Sequence, residues 1–145
     1  MKLQSSRRRR GFTLIEVLLV LVILVILASL AGMALFPMQR KAKVDAAKAQ
    51  IDLFKTPLNL FQLSVGSYPT GQQGLQALLA PPNDLDGTAK WEGPYLEASS
   101  IPLDPWGRPY LYKFPGDRNP NSYDISSSGP DGVDGTADDI GNWTE

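Results

Sequence analysis

Apolar and polar positions change rhythm three times along the chain. From Val17 to Phe36, twenty residues pass without a charged side chain, most of them Leu, Val, Ile or Ala. A helix of that length spans roughly 30 Å, the hydrocarbon thickness of a bilayer. Arg7, Arg8, Arg9 and Arg10 stand just before it. Such a flank predicts a cytoplasmic N-terminus, with the rest of the chain on the far side of the membrane. Pro37 follows, and the period then becomes amphipathic. Val44, Ala47, Ile51, Phe54, Leu58, Phe61 and Val65 are spaced alternately by three and four, the apolar face of a helix. Lys43, Asp45, Lys48, Asp52 and Lys55 fall off that stripe. The pattern predicts one long helix whose second half packs on a globular head. Pro57 lies inside the stripe and should bend or interrupt the helix near Phe54.

After Val65 the chain is punctuated. Ten of its twelve prolines lie at Pro69 or later, so the elements must be short. Gln73–Leu79 reads as a short helix stopped by Pro81 and Pro82. Tyr110–Phe114 and Ser122–Ser126 carry strand chemistry, and the turn formers Pro115 to Asn121 between them predict an antiparallel hairpin. A third strand is placed at Tyr95–Leu96, if one exists. The fold class is α+β: the helix lying across a small antiparallel sheet with long ordered loops.

The sequence has no Cys and no His, which removes disulfides, thiolate metal sites and any His base. The net charge of −1 hides a split. Residues 1–60 hold ten Lys/Arg against three Asp/Glu, and residues 61–145 hold four against twelve. An acidic head repels phosphates, so nucleic acid is not an expected partner. Ser126, Ser127 and Ser128 offer hydroxyls, but there is no His, no lysine lies nearby in sequence, and nothing marks a cleft for paired carboxylates. The chain reads as a non-enzyme.

The chemistry-bearing segment is Asp131–Gly141, with Asp131, Asp134, Asp138 and Asp139 in nine positions and three glycines. Calcium takes six to eight oxygens from flexible loops. Clustered carboxylates repel without a cation, so Ca2+ is favoured over a merely solvated acidic turn. The spacing is not that of an EF-hand, and magnesium seldom uses all-protein cages. The aromatic clusters around Trp91, Tyr95 and Trp106 read first as loop anchors and second as a ligand surface. Asn142-Trp143-Thr144 matches a glycosylation acceptor weakly.

Glu16 is anomalous. A carboxylate deep in lipid costs about 2.5–3.5 kcal/mol, and a plain anchor has no need of one. Three readings compete here: a signal anchor, a secretory signal peptide cut after Ala31, and a processed, retained helix. The run Arg10-Gly11-Phe12-Thr13-Leu14-Ile15-Glu16 resembles the processing site of type IV pilins and type II secretion pseudopilins. The resemblance implies cleavage between Gly11 and Phe12 by a prepilin peptidase, and N-methylation of Phe12. The new amino group would pair with Glu16 of a neighbouring subunit, two charges tolerable together in apolar surroundings.

Tyr68-Pro69-Thr70, Gln73-Gly74-Leu75-Gln76-Ala77-Leu78, Gly93-Pro94-Tyr95-Leu96, Asp104-Pro105-Trp106-Gly107 and Asp138–Trp143 narrow the resemblance to the major pseudopilins, the general secretion pathway protein G family. It runs from Gly11 to Trp143. It implies a leader at 1–11, a transmembrane and filament-core helix at 12–36, its amphipathic half at 37–65 and a periplasmic head at 66–145. The implied function is a homopolymeric periplasmic pseudopilus anchored through the inner membrane. The implied partners are minor pseudopilins, an inner-membrane assembly platform and a cytoplasmic ATPase. The family's calcium loop maps onto Asp131, Asp134, Asp138 and Asp139, with backbone oxygen near Ser128, although many relatives have a longer loop there. The rivals are a type IV pilin, a minor pseudopilin, and a membrane-anchored calcium-dependent binding module.

Overall fold

A computed structural model of the chain describes residues 11–85 and 90–143, and of residues 31–35 the backbone alone. The Arg7–Arg10 run and most of the leader lie outside the described residues, as do Thr144 of the glycosylation triplet and the side chain of Ala31. The elements are a helix α1 (Leu14–Val65), a 3-10 helix (Gly74–Leu78), and strands β1 (Leu111–Lys113), β2 (Asp124–Ser127) and β3 (Ile140–Gly141). The chain divides into two compact units, Met1–Gln39 and Arg40–Glu145.

In the first unit every described residue of Leu14–Leu30 is exposed, including all its leucines, valines and isoleucines. A helix apolar on every side belongs in lipid or among other helices. Among the described residues no helix is long and apolar enough to cross a membrane. The twenty-residue run in the sequence includes residues 31–35, whose side chains are not described.

The second unit is the α+β head. The predicted stripe is its core: Ala47, Ile51, Phe54, Leu58 and Phe61 are buried, with Val44 and Val65 packed at the edges. They meet Leu75, Ala77 and Leu78 of the 3-10 helix, Ile125 and Ile140 of the sheet, and Tyr110 and Tyr123 just before β1 and β2. Phe54 sits edge-on to Tyr110 at 5.5 Å, and Tyr68 edge-on to Tyr123 at 4.9 Å. Such aromatic pairs add to simple burial. Pro57 does not interrupt the helix, contrary to the sequence expectation. Its ring is buried with the stripe, and that packing offsets the missing backbone bond.

The sheet order is β1-β2-β3 and both pairings are antiparallel. The predicted hairpin is present, with Tyr112 opposite Ile125. The third strand is not at Tyr95–Leu96. The amides of both those residues donate to the carbonyl of Leu78, at 2.8 and 3.3 Å, which pins a loop to the 3-10 helix and leaves no ladder. β3 lies instead at Ile140–Gly141, inside the Asp/Gly-rich segment, and pairs Ile140 with Ser127.

Candidate functional site

At the N-terminus, Phe12 is 81% exposed, and Gly11 and Glu16 are exposed beside it. Thr13 starts the helix. Its carbonyl accepts from the amides of Glu16 and Val17, and its hydroxyl accepts from the Glu16 amide at 3.3 Å. Thr13-Leu14-Ile15-Glu16 is thus a capping-box sequence with its side-chain-to-amide half formed. This spacing was readable in the sequence; the bond formed uses the Glu16 backbone amide, and the exposed Glu16 side chain takes no part in it.

The second cluster lies in the twelve-residue connection 128–139 between β2 and β3. The structure brings Asp131 and Asp138 together across Thr136. The Thr136 hydroxyl stands 3.1 Å from Asp131 Oδ2, 2.5 Å from Asp138 Oδ1 and 3.2 Å from the Val133 carbonyl. A hydroxyl has one proton, so it donates to only one of these three acceptors. The other oxygens face it lone pair to lone pair. The Asp131 amide also donates to Asp138 Oδ2 at 3.2 Å. The Thr136 hydroxyl is the main reason the Asp138 carboxyl is held below its ordinary value; desolvation opposes it, and the Asp131 contacts add to it.

Asp139 turns to the amide of Gly135 at 2.7 Å, and its Oδ1 is buried with no hydrogen-bond partner. Asp134 is exposed and is not drawn into the cluster. The Ser128 carbonyl accepts from the Gly132 amide at 3.1 Å, closing the first turn of the loop. Among the described residues no three acidic side chains form a metal-holding group by themselves. The donor set near Thr136 is nevertheless all oxygen: two carboxylates, a hydroxyl and a carbonyl. That chemistry fits a hard cation of calcium's kind, completed by carbonyls or water, and does not fit zinc.

Several organising residues escaped the sequence reading. The Asp104 side chain is 0% exposed. Its Oδ1 accepts from the amides of Trp106 at 3.0 Å and Arg108 at 2.8 Å, and its Oδ2 accepts from the Ser127 hydroxyl at 2.6 Å. Burial raises this carboxyl, but the Ser127 hydroxyl, the two amides and the Arg108 charge outweigh it and hold it below 3.8. Arg108 Nη2 donates to the Gly129 carbonyl. Asp124 caps the turn of the β1–β2 hairpin through the amides of Arg118 at 2.7 Å and Asn119 at 3.0 Å. Asn142 accepts from the Ile125 amide at 3.0 Å and donates to the Tyr123 carbonyl at 2.9 Å, so its amide is committed to the sheet and not presented as a glycan acceptor.

The aromatic clusters are anchors. Trp91 donates to the Ala77 carbonyl at 2.9 Å, Tyr95 bonds the Ser64 hydroxyl and stacks edge-on to Phe61 at 5.6 Å, and Trp106 has Lys43 and Arg108 each 5.9 Å from its ring. The indole N–H of Trp91 and the hydroxyl of Tyr95 are spent inside the head.

Residues 34–143 match the family described as "Type II secretion system (T2SS), protein G". The chain belongs to that family. Residues 6–32 match the prokaryotic N-terminal methylation motif, a span that includes Gly11, Phe12 and Glu16. The type II secretion system core protein G of Pseudomonas aeruginosa is 41% identical over 141 residues, covering 94% of this chain and 96% of that one. The Klebsiella pneumoniae protein of the same name is 43% identical over 141 residues, with 95% and 96% covered. Among solved structures, the major pseudopilin from the type 2 secretion system of enterohaemorrhagic Escherichia coli matches with a TM-score of 0.64 at 34% identity. The match covers 75% of this chain and 89% of that one. The fold is therefore that of a pseudopilin, and the family is one of structural subunits, not enzymes.

Proposed function

We propose that the chain is a structural subunit that polymerises into the pseudopilus of a type II secretion system, helping to export folded proteins across the outer membrane. The observation that carries this is the helix Leu14–Leu30, apolar and exposed on every side, in a chain of the protein G family with an N-terminal methylation motif. Such a helix needs lipid before assembly and other helices after it. The likeness to a major pseudopilin favours the principal filament subunit over a tip subunit.

In this reading a prepilin peptidase cuts between Gly11 and Phe12 on the cytoplasmic face, and Phe12 is methylated. The exposed Phe12 and the preceding Gly11 leave the cleavage point accessible. The helix holds the subunit in the inner membrane with the head in the periplasm. Glu16 then meets the new amino group of a neighbouring copy. An assembly platform and a cytoplasmic ATPase drive growth, and minor pseudopilins share the filament.

The head binds calcium through Asp131 and Asp138, with Thr136 and the Val133 carbonyl beside them and Asp139 on the adjoining turn. Calcium would supply, when bound, the positive charge that offsets the repulsion between the two carboxylates on either side of Thr136. Binding to the folded head alone stabilises it.

The test is the mass and N-terminal sequence of the mature protein isolated from native membranes. A start at methylated Phe12, with filaments that disappear in a Glu16→Ala strain, supports the proposal. A start at Gly32 or an intact Met1 in a peptidase-competent host overturns it.

A further inference from the structure

Arg108 stands outside the loop 128–139 yet grips it. Asp104 fixes its root: Oδ1 accepts the Arg108 amide at 2.8 Å, and Oδ2 faces Arg108 Nε at 3.7 Å. The far end of the guanidinium donates to the Gly129 carbonyl. Its other terminal nitrogen fills the space over Gly132, where an added Cβ would collide with it. Gly129 and Gly132 both have positive φ, 58° and 76°. Asp138 backbone crowds Gly129 in the same way that Arg108 crowds Gly132. The second path from Asp104 runs through the Ser127 hydroxyl, which accepts from the Gly129 amide at 3.3 Å. Asp131 lies between the two gripped glycines, one residue from Gly132.

We infer that Arg108 is the positioning residue of the 128–132 turn: braced by Asp104, it sets where the Asp131 carboxylate meets Thr136 and Asp138. The consequence for calcium rests on the calcium reading above. A planar guanidinium suits the task, because one arm of its rigid fork donates to the Gly129 carbonyl while the other packs over Gly132.

The electrostatic and positional effects of Arg108 on cation binding have opposite signs. A positive charge close to a cation site weakens binding, so its removal should tighten calcium if charge alone matters. Loss of a positioning residue should weaken it, typically by about 10–100-fold for residues supporting metal ligands.

The experiment compares the full chain in detergent micelles with Arg108→Gln and Arg108→Lys, using calcium titration calorimetry and calcium-free amide exchange. Near-UV circular dichroism reports whether each head is folded. For Arg108→Gln, calcium affinity falls by at least about tenfold, and the Gly132, Val133 and Gly135 amides exchange faster without calcium. Arg108→Lys keeps the charge without the fork and recovers part of both effects. Where Arg108→Gln does not fold, Arg108→Lys carries the comparison. Equal or tighter calcium binding in a folded variant overturns the inference. Should the wild-type chain take up no calcium, the calcium reading falls. Faster exchange in the variant then still upholds Arg108 as the brace of the turn, and unchanged exchange overturns it.

Discussion

The hydroxyl of Ser127, the last residue of β2, donates to the carboxylate of Asp104 at 2.6 Å across 23 residues of chain. That bond ties the sheet to the turn before β1, where the Leu103–Pro109 bridge closes. Replacing Asp104 by Ala leaves a hydroxyl and two amides without their acceptor and removes the carboxylate that faces the Arg108 guanidinium at 3.7 Å. Hydrogen bonds to charged groups contribute about 1.5–3 kcal/mol each, so we expect a loss of about 3 kcal/mol in urea unfolding of the head, since water replaces part of what is removed.

The same carboxyl fixes the acid limb of stability. Its folded pKa lies below its ordinary 3.8, so its contribution is present above that value and is lost as pH falls through the folded pKa. Asp138 acts in the same direction through Thr136. Melting curves from pH 6 to pH 2 should fall steeply below pH 4 for the wild type, and the slope should be shallower for Asp104→Asn.

At the alkaline end the tyrosines decide. Burial pushes Tyr110 and Tyr123 up to about 12, with Asp104 adding to the first, and Tyr68 and Asp52 to the second. Tyr112 moves in the same direction, from burial and from its neighbours Tyr123 and Tyr68. A raised folded pKa means stability that is intact below pH 10 and is lost as pH rises through about 12. Ultraviolet titration should show late-ionising tyrosines whose ionisation coincides with loss of near-UV dichroism. Tyrosines that all ionise near pH 10 in a folded head would contradict this packing.

Two residues of α1 test its two faces. Phe54 is fully buried and Leu63 is 83% exposed. Phe54→Ala should cost about 3–5 kcal/mol, through lost burial and the cavity it leaves. Leu63→Ala should stay within about 0.5 kcal/mol in the isolated subunit. Chemical denaturation of both variants reads this directly, and comparable losses would mean the stripe has been misplaced.

Calcium removal is the fifth test. At a free concentration of 100 times Kd, a bound ion adds about 2.7 kcal/mol to the folded state. For a head of this size that corresponds to roughly 10 °C in melting temperature. Excess chelator should lower the melting temperature of the wild type by that order and leave Asp131→Asn/Asp138→Asn nearly unmoved. An unchanged wild-type curve would count against calcium.

The core was legible because a helix advertises its buried face locally: Val44 to Val65 repeat at three and four, and that spacing needs no partner to be read. The β1–β2 hairpin was legible for the same reason, two alternating runs around turn residues. β3 was not, because Ile140–Gly141 is two residues long and sits among aspartates and glycines that advertise a loop. Tyr95–Leu96 misled in the opposite way, an apolar pair whose amides share one carbonyl. In the candidate site, composition marks the acidic segment but cannot say which carboxylates meet. Thr136, the turns at Gly129 and Gly132, and Arg108 decide that, and their partners are brought together only by the closed sheet. Asp104 was invisible for the same reason, its bond to Ser127 being a product of topology and not of spacing.

The pairing of Ser127 with Ile140 means that the 128–139 segment leaves and rejoins the scaffold at facing positions. Its ends are held together by the sheet whatever lies between them. For a flexible loop, doubling the length costs only about 0.6 kcal/mol of closure entropy. The segment is therefore a detachable cassette: subunits built on this scaffold are free to differ there in length and composition while the body of the head stays as it is.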